Sequence, residues 1–492
     1  MTGERSTAWR LLSSTGLYAA AGLAQQGVGF LLIPVYTRLI DPNEYGVLEI
    51  FNAFSSVGFA CLTMGLSSAI NKCYHRDCES PTDQESILST AILLDLPLLI
   101  LATALGLLFA RPLSVWLTGT TEAQGLVPLV VGAGFFYSVA MLALAGLRAQ
   151  ERALAFSVLT LIQFTAALGL NLIFVVGYRL GIRGVLWGNL LSNAILLPLA
   201  IVVAHQGNAV SFNQRLVRPL LSFGVYLIPV MLAGWAMDLS DRYVLRLYHN
   251  LDEVAVYGIG YKFGMLLQVA IVWPFQLAWP AFSFSISHEP GHKVTYARTL
   301  TYLTATLMFA TILLSLLART GLSVLVGGAY RDAYKVIPLV ALAYALNGVQ
   351  YCVSPGVHLA GRTRYLPVLA VVAASINVAL NFLLIPQLGM MGAAWSTAIS
   401  FLFLSAGTAV VSQRFYPVAY EYGRLAKIIA AGVLVYAGGN AVAPATLGLS
   451  LMWHLAMPLL AFPGLLMLTG FLDYQERMFL GGLFRRYVPL FE

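Results

Sequence analysis

Leu380–Trp395 reads LNFLLIPQLGMMGAAW, and an earlier segment, Leu170–Trp187, reads LNLIFVVGYRLGIRGVLW. Both open with Leu-Asn before an apolar run and then share one spacing, Leu-Gly-x-x-Gly-x-x-Trp: Leu180, Gly181, Gly184 and Trp187 in one, Leu388, Gly389, Gly392 and Trp395 in the other. Two copies roughly 210 residues apart imply a duplicated unit, the frame into which every other element has to fit. Weaker pairs keep the same order: Tyr45-Gly46 with Tyr257-Gly258, and Leu144-Ala145-Gly146 with Leu359-Ala360-Gly361.

Around these markers the 492-residue chain is 59% hydrophobic and 10% charged, against about 25% charged in a soluble domain. Apolar windows of about 20 residues, the length that crosses a hydrocarbon core, recur throughout. The expected fold is an all-α integral membrane protein with about fourteen transmembrane helices, arranged as two pseudo-symmetric six-helix bundles plus two C-terminal helices. The first bundle occupies 1–204, with helices near 13–37, 46–70, 86–110, 124–147, 153–177 and 182–204. A polar linker, 205–218, leads to the second bundle, 219–413, with helices near 219–240, 254–287, 296–318, 333–356, 365–386 and 390–413. Apolar stretches near 425–441 and 447–472 lie outside the repeat, within a final segment 414–492 that ends in a tail. Two bundles that both start on the same side are parallel repeats, which place a substrate site between them.

The net charge of +7 fits the collection of Lys and Arg in cytoplasmic loops better than binding of nucleic acid. With the amino terminus inside, eighteen basic residues fall on inner segments and nine on outer ones, and Lys262 lies within a helix. Both termini are therefore expected in the cytoplasm, with the stretch after Arg5 and Arg10 retained as the first helix. Trp273 and Trp279, each before a proline, are expected near the inner membrane interface. Cys61, Cys73, Cys78 and Cys352 lack metal-ligand spacing, and Cys73 and Cys78 are expected in an inner loop as reduced thiols. No phosphate-cradling G-x-x-x-x-G-K-[ST] loop occurs, which excludes ATP hydrolysis by this polypeptide. No loop is long enough to house an enzyme's external carboxylates, so an enzyme is not expected and no cofactor is implied.

Ionisable residues inside helices carry the functional information, because a charge at mid-bilayer costs at least about 2.5 kcal/mol and normally faces protein or a wet cavity. Lys262 lies about 12 Å inside its helix, opposite a Gly260/Gly264 packing face, so it either looks to a central space or snorkels to the interface. Registering Tyr45-Gly46 on Tyr257-Gly258 sets Glu49 opposite Tyr261, next to Lys262, which suggests a charge pair or shared gate; the alternative is a solvated Glu49. Asp95, two residues before Pro97, is either a proton site or a carboxyl kept neutral by burial or by capping freed backbone groups. Asp238, Asp241, Arg242 and Arg246 crowd one helix end as either a gate or a solvated cluster. Arg298 and Arg38, at helix ends, have the position of interfacial anchors.

Ile33–Lys72, IPVYTRLIDPNEYGVLEIFNAFSSVGFACLTMGLSSAINK, resembles the first helical hairpin of bacterial polysaccharide (O-antigen type) flippases of the multidrug/oligosaccharidyl-lipid/polysaccharide exporter superfamily. Asp241–Gly264, DRYVLRLYHNLDEVAVYGIGYKFG, resembles that family's Asp-Arg and Tyr-Gly helix start, and Leu380–Trp395 its Asn, Ile-Pro and Gly-x-x-Gly-Ala-Ala run. The resemblance implies translocation of an undecaprenyl-diphosphate-linked oligosaccharide across the bacterial cytoplasmic (inner) membrane by alternating access. Under it, Lys262 with Arg298 or Arg38 would stabilise the diphosphate, while an H+ or Na+ gradient or the membrane potential drives the cycle. The partners it implies are the polyprenyl-diphosphate-linked glycan, membrane lipids, and the polysaccharide polymerase and export machinery. Two other readings stay open: a cation-coupled multidrug exporter of the same fold, in which Asp95 and Glu49 would be central, and a scaffold subunit of an envelope-assembly complex.

Overall fold

A computed structural model describes residues 27, 29–78, 80–207, 209–442, 446–471 and 476, and every regular element among them is helical. In chain order these are α1 (Gly29–Leu39), α2 (Pro42–Leu62), α3 (Leu66–Arg76), α4 (Pro81–Leu108), α5 (Ala110–Thr118), α6 (Val127–Ala149), α7 (Ala153–Asn171), α8 (Gly181–His205) and α9 (Gln214–Tyr248). They continue as α10 (Leu251–Gly264), α11 (Trp273–Ser285), α12 (His292–Leu325), α13 (Ile337–Leu359), α14 (Tyr365–Leu388), α15 (Met390–Phe415), α16 (Tyr422–Ala441), α17 (Leu447–Ala456) and α18 (Phe462–Leu468). Eleven described helical stretches are long and apolar enough to cross a membrane, with α10–α11 counting as one and α17–α18 as another. The other three of the fourteen expected are α1, α2 with α3, and α16. Most of the first expected helix, and the basic residues Arg5, Arg10, Arg477, Arg485 and Arg486, lie outside the described residues.

Several local expectations change. The second helix does not run unbroken from 46 to 70, because Met64 and Gly65 both take left-handed backbone (φ 45° and 65°) and split it into α2 and α3. Cys73 is buried inside α3 rather than in a loop. Cys78 follows the helix, and burial, with the nearby Asp83 and Asp77 carboxylates, pushes its thiol up to about 11. Trp279 is no interfacial anchor: it is buried and donates its indole N–H to the Cys352 carbonyl at 2.9 Å. A buried indole needs such an acceptor, so the ring packs inward. The linker is shorter than expected, since α9 begins at Gln214 behind the cap Asn213, whose side chain also reaches Asp83 at 2.7 Å.

The chain folds into two compact units. The first contains the described residues up to Lys262 with Leu325–Ala333 and Ala370–Thr397; the second contains Phe263–Val324, Tyr334–Leu369 and the described residues from Ala398 onward. In the first, Leu66, Ile70, Leu88, Leu142, Leu147, Leu196 and Leu220 form a continuous core. Beside it Gln163 donates to Asn193 at 2.9 Å, and Asn193 to the Ala133 carbonyl at 3.2 Å, tying α7, α8 and α6 together. In the second, Ile312, Leu316, Ile428, Val435, Phe462 and Leu466 pack α12, α16 and α18 against one another.

The duplicated block supplies two matching turns. Gly181 and Gly389 both take left-handed backbone, at φ 56° and 54°, which a side chain at either position would strain. Its asparagines are both buried: Asn171 accepts from Tyr36 Oη at 2.8 Å, and Asn381 donates to Ser240 Oγ at 3.3 Å. Its tryptophans, Trp187 and Trp395, point outward.

Candidate functional site

Three helices of the first unit, α2, α9 and α10, bring charged side chains to one point. Glu49 lies two turns into α2 and is 3% exposed. Its Oε1 is 2.5 Å from Lys262 Nζ on α10, and its Oε2 is 3.3 Å from Arg242 Nε on α9. Arg242 also donates through Nη1 to Asp241 Oδ1 at 3.0 Å and to the Asp238 carbonyl at 2.7 Å. Asp241 accepts a further short hydrogen bond from the Tyr257 hydroxyl. Lys262 donates to Tyr45 Oη at 2.8 Å, and Tyr261 donates to Asp238 Oδ1 at 3.1 Å.

The four charges of the inner network, Glu49, Asp241, Arg242 and Lys262, sum to zero. That balance is what allows them to be buried: an ion pair in low dielectric offsets its desolvation only when geometry is good and the remaining hydrogen-bonding capacity is filled. Tyrosines fill it, and the Arg242 guanidinium also lies 4.5 Å from the Tyr261 ring centroid. One member reaches open space: the Lys262 side chain is 25% exposed, against 4% for Glu49.

The Tyr-Gly pairs that mark the repeat form the frame of this network. Tyr45 and Tyr257, both fully buried, hold Lys262 and Asp241 respectively. Their glycines leave room for the helices to cross: a Cβ on Gly46 would collide with the Leu251 carbonyl, and one on Gly258 would lie 2.8 Å from the Glu49 side chain. In sequence the Tyr-Gly pairs are visible as a register marker, while the tyrosines act here as ligands of the charges as well. The signal available was an aromatic with a hydroxyl, repeated at equivalent helix starts beside intramembrane charges.

Of the other residues singled out, Asp241 and Arg242 join the network and are 1% and 3% exposed, so a solvated cluster is ruled out for them. Asp238 contributes at its margin, whereas Arg246 points away to the Val115 carbonyl. Asp95 is fully buried in α4, and neither carboxylate oxygen has a hydrogen-bond partner. Arg38 is exposed at the end of α1, and Arg298 is half-buried on α12 in the second unit. Lys262 donates its hydrogen bonds to Glu49 and Tyr45. Among the described residues no cluster of His, Cys, Asp and Glu is arranged to hold a metal.

The first unit also has a cleft of about 440 Å³, open on one side, along α2, α6 and α8. Along α6 its lining runs from Val130 to Arg148, about 27 Å at the helical rise and so close to the thickness of a hydrocarbon core. Asn52, Ser55, Ser138 and Asn189 line it with Tyr137, and Arg148 brings one cation; no carboxylate is among the described lining residues. The Ser138 hydroxyl is buried without a partner. Neutral amides and hydroxyls along a membrane-length path are costly unless water or a polar ligand satisfies them.

The chain matches the model of the family described as "Polysaccharide biosynthesis protein" over residues 11–286. It is similar to the succinoglycan biosynthesis transport protein ExoT of Rhizobium meliloti (strain 1021), 23% identical over 348 residues, a match covering 70% of this chain and 66% of ExoT. Its fold is similar to that of the lipid II flippase MurJ in an inward closed conformation, with a TM-score of 0.71 at 13% identity, covering 92% of this chain and 96% of that one. An inward-facing multidrug resistance MATE family transporter superposes with a TM-score of 0.62 at 14% identity over 82% of this chain and 96% of the other. The last two likenesses concern the fold alone.

Proposed function

The chain belongs to the polysaccharide biosynthesis protein family, and from that premise we propose that it translocates an undecaprenyl-diphosphate-linked oligosaccharide across the cytoplasmic membrane by alternating access. The observation that carries this reading is the membrane-length cleft of the first unit, whose polar lining is amides, hydroxyls and one cation, Arg148, with no carboxylate among the described residues. Amides, hydroxyls and a tyrosine suit sugar hydroxyls, which both donate and accept. A cation-coupled multidrug exporter would instead need a carboxylate open to the path, and Glu49 is already held by two cations. The relative ExoT, by name a transport protein of succinoglycan biosynthesis, supports the reading, and MurJ supports only the fold it requires.

In this mechanism the diphosphate competes with Glu49 for Lys262, the one exposed member of a neutral network. Exchange of one anion for another keeps the charge on Lys262 matched while the network loosens, so arrival of substrate is coupled to the contact between α2 and α10. Asp95 supplies the coupling. Its carboxyl is buried in α4 with neither oxygen hydrogen-bonded, and a carboxyl inside a membrane span is the kind of group through which a proton gradient acts. Replacement Asp95→Asn is expected to abolish acceleration of translocation by an imposed proton gradient while leaving exchange without a gradient within about twofold of wild type. Equal acceleration in both proteins would remove Asp95 from the mechanism.

The direct test is leaflet translocation in proteoliposomes, read with a fluorescent polyprenyl-diphosphate oligosaccharide and a membrane-impermeant quencher. Wild type is expected to move the lipid faster than protein-free vesicles. No movement, together with export of an organic cation by the same vesicles, would overturn the proposal in favour of a multidrug exporter.

A further inference from the structure

The second unit has two cavities on the same three helices, one above the other, with opposite chemistry. The first, about 610 Å³, lies at the ends of α12 and α16, at the start of α17 and beside the residues leading into α13. Arg319, Lys335, Tyr334, Asn440, Ser450 and His454 are in its lining, which contains no carboxylate among the described residues. Its hydroxyls form a chain, Thr320 to Ser450 at 3.3 Å and Ser450 to His454 at 3.2 Å. The second, about 270 Å³, is lined by apolar side chains of α12, α13 and α16, among them Leu307, Met308, Leu342, Leu346 and Ile429. On α12 the apolar lining ends at Thr311 and the polar lining begins at Ser315, one helical turn or about 6 Å apart. α16 stays against α12 beside both cavities, since Gly432 packs on Met308 and Gly439 on Leu316.

A basic, hydroxyl-rich mouth at helix ends, with a dry apolar slot one turn deeper along the same helices, matches a molecule with an anionic head and a hydrocarbon chain. Lys and Arg side chains at headgroup level form charge-assisted hydrogen bonds with lipid phosphate, and tyrosines favour the same level. By the asymmetry of basic residues these helix ends face outward. We propose that the second unit binds an anionic phospholipid of the outer leaflet, with its phosphate on Arg319 and Lys335 and part of one acyl chain in the slot beside Leu307 and Leu346. The slot takes a short stretch of one acyl chain and is too small for a polyprenyl chain. This site is independent of the transported substrate, so it stands or falls apart from the transport reading.

Native mass spectrometry of the full chain in detergent, titrated with phosphatidylglycerol, phosphatidylcholine or inorganic phosphate, tests it. Wild type is expected to retain phosphatidylglycerol over phosphatidylcholine, and the R319Q/K335Q variant to lose on the order of thirtyfold in that affinity. The charge-preserving R319K/K335R variant retains it, which separates lost charge from lost fold. Leu346→Trp, which fills the slot, weakens phosphatidylglycerol without changing binding of inorganic phosphate. Equal retention of both phospholipids by wild type would overturn the proposal, as would unchanged phosphatidylglycerol affinity in R319Q/K335Q. Indifference of phosphatidylglycerol to Leu346→Trp would reduce the site to one for a free anion. Displacement of phosphatidylglycerol by an equal concentration of polyprenyl diphosphate would reassign it to the carrier lipid.

Discussion

Glu49→Gln is expected to destabilise the protein by about 3–5 kcal/mol, because it strips one carboxylate from two buried cations at once. The inner network goes from neutral to a net charge of +1, with Arg242 left to Asp241 and Lys262 left to a tyrosine hydroxyl. Lys262→Met is expected to cost less, since Glu49 keeps Arg242 and the lysine, 25% exposed, already keeps part of its hydration. The double variant E49Q/K262M is neutral again and should recover much of the loss, giving a coupling of about 1–3 kcal/mol in a double-mutant cycle read by unfolding in detergent. Additive losses would show that the two residues do not act as a pair. Transport assays add a distinction that stability cannot make. With Glu49 gone the diphosphate has no competitor at Lys262, so E49Q should lower KM for the lipid diphosphate and also lower kcat, by about tenfold, as the bound substrate is released more slowly. Lys262→Met should raise KM instead.

Gly46→Ala is the second large effect. The added methyl would meet the Leu251 carbonyl, with its carbon at 2.7 Å, and a backbone wall cannot rotate away as a side chain can. Overpacking of this kind costs about 1–3 kcal/mol and occasionally more; here the upper end is expected, because α2 and α10 must move apart as whole helices. The same displacement pulls Glu49 from Lys262, so translocation is expected to fall with stability. Gly258→Ala presses on the Glu49 side chain instead, which can yield, and should spare stability more than transport. Gly58→Ala on the same α2 is the control: nothing lies within 4 Å of its added methyl, and Ala favours a helix over Gly by about 0.5–1 kcal/mol. A loss in Gly58→Ala as large as that in Gly46→Ala would mean that α2 tolerates no alanine at all, and the crossing would not be the cause.

Helices were legible because the bilayer imposes a length and a polarity on each of them, and no tertiary detail is needed to see either. The approach of Glu49 to Lys262 was legible through the Tyr-Gly register, which counts residues along two related helices. Burial of Asp241 and Arg242 was not, since an acid and a base side by side near a helix end look the same in sequence whether water or a tyrosine completes them. The break at Met64-Gly65 was hidden for a similar reason: apolar residues continue across it, and hydropathy does not register backbone hand. Trp279 was misplaced because its indole acceptor, the Cys352 carbonyl, lies 73 residues away. The cleft of the first unit was invisible, as Asn52, Ser138 and Asn189 are scattered over three helices and meet only once those helices pack.

The Glu49–Lys262 pair also says something about the repeat. In a symmetric pair of identical units every contact occurs twice, residue i on j and j on i. Here, in the Tyr-Gly register, the positions matching Glu49 and Lys262 carry Tyr261 and Ile50, so the bond exists in one direction only. A chain built from two copies of either half would lack it. The halves keep the same turns and the same tyrosines, but acid and base stand in opposite halves, and neither half alone can supply the pair.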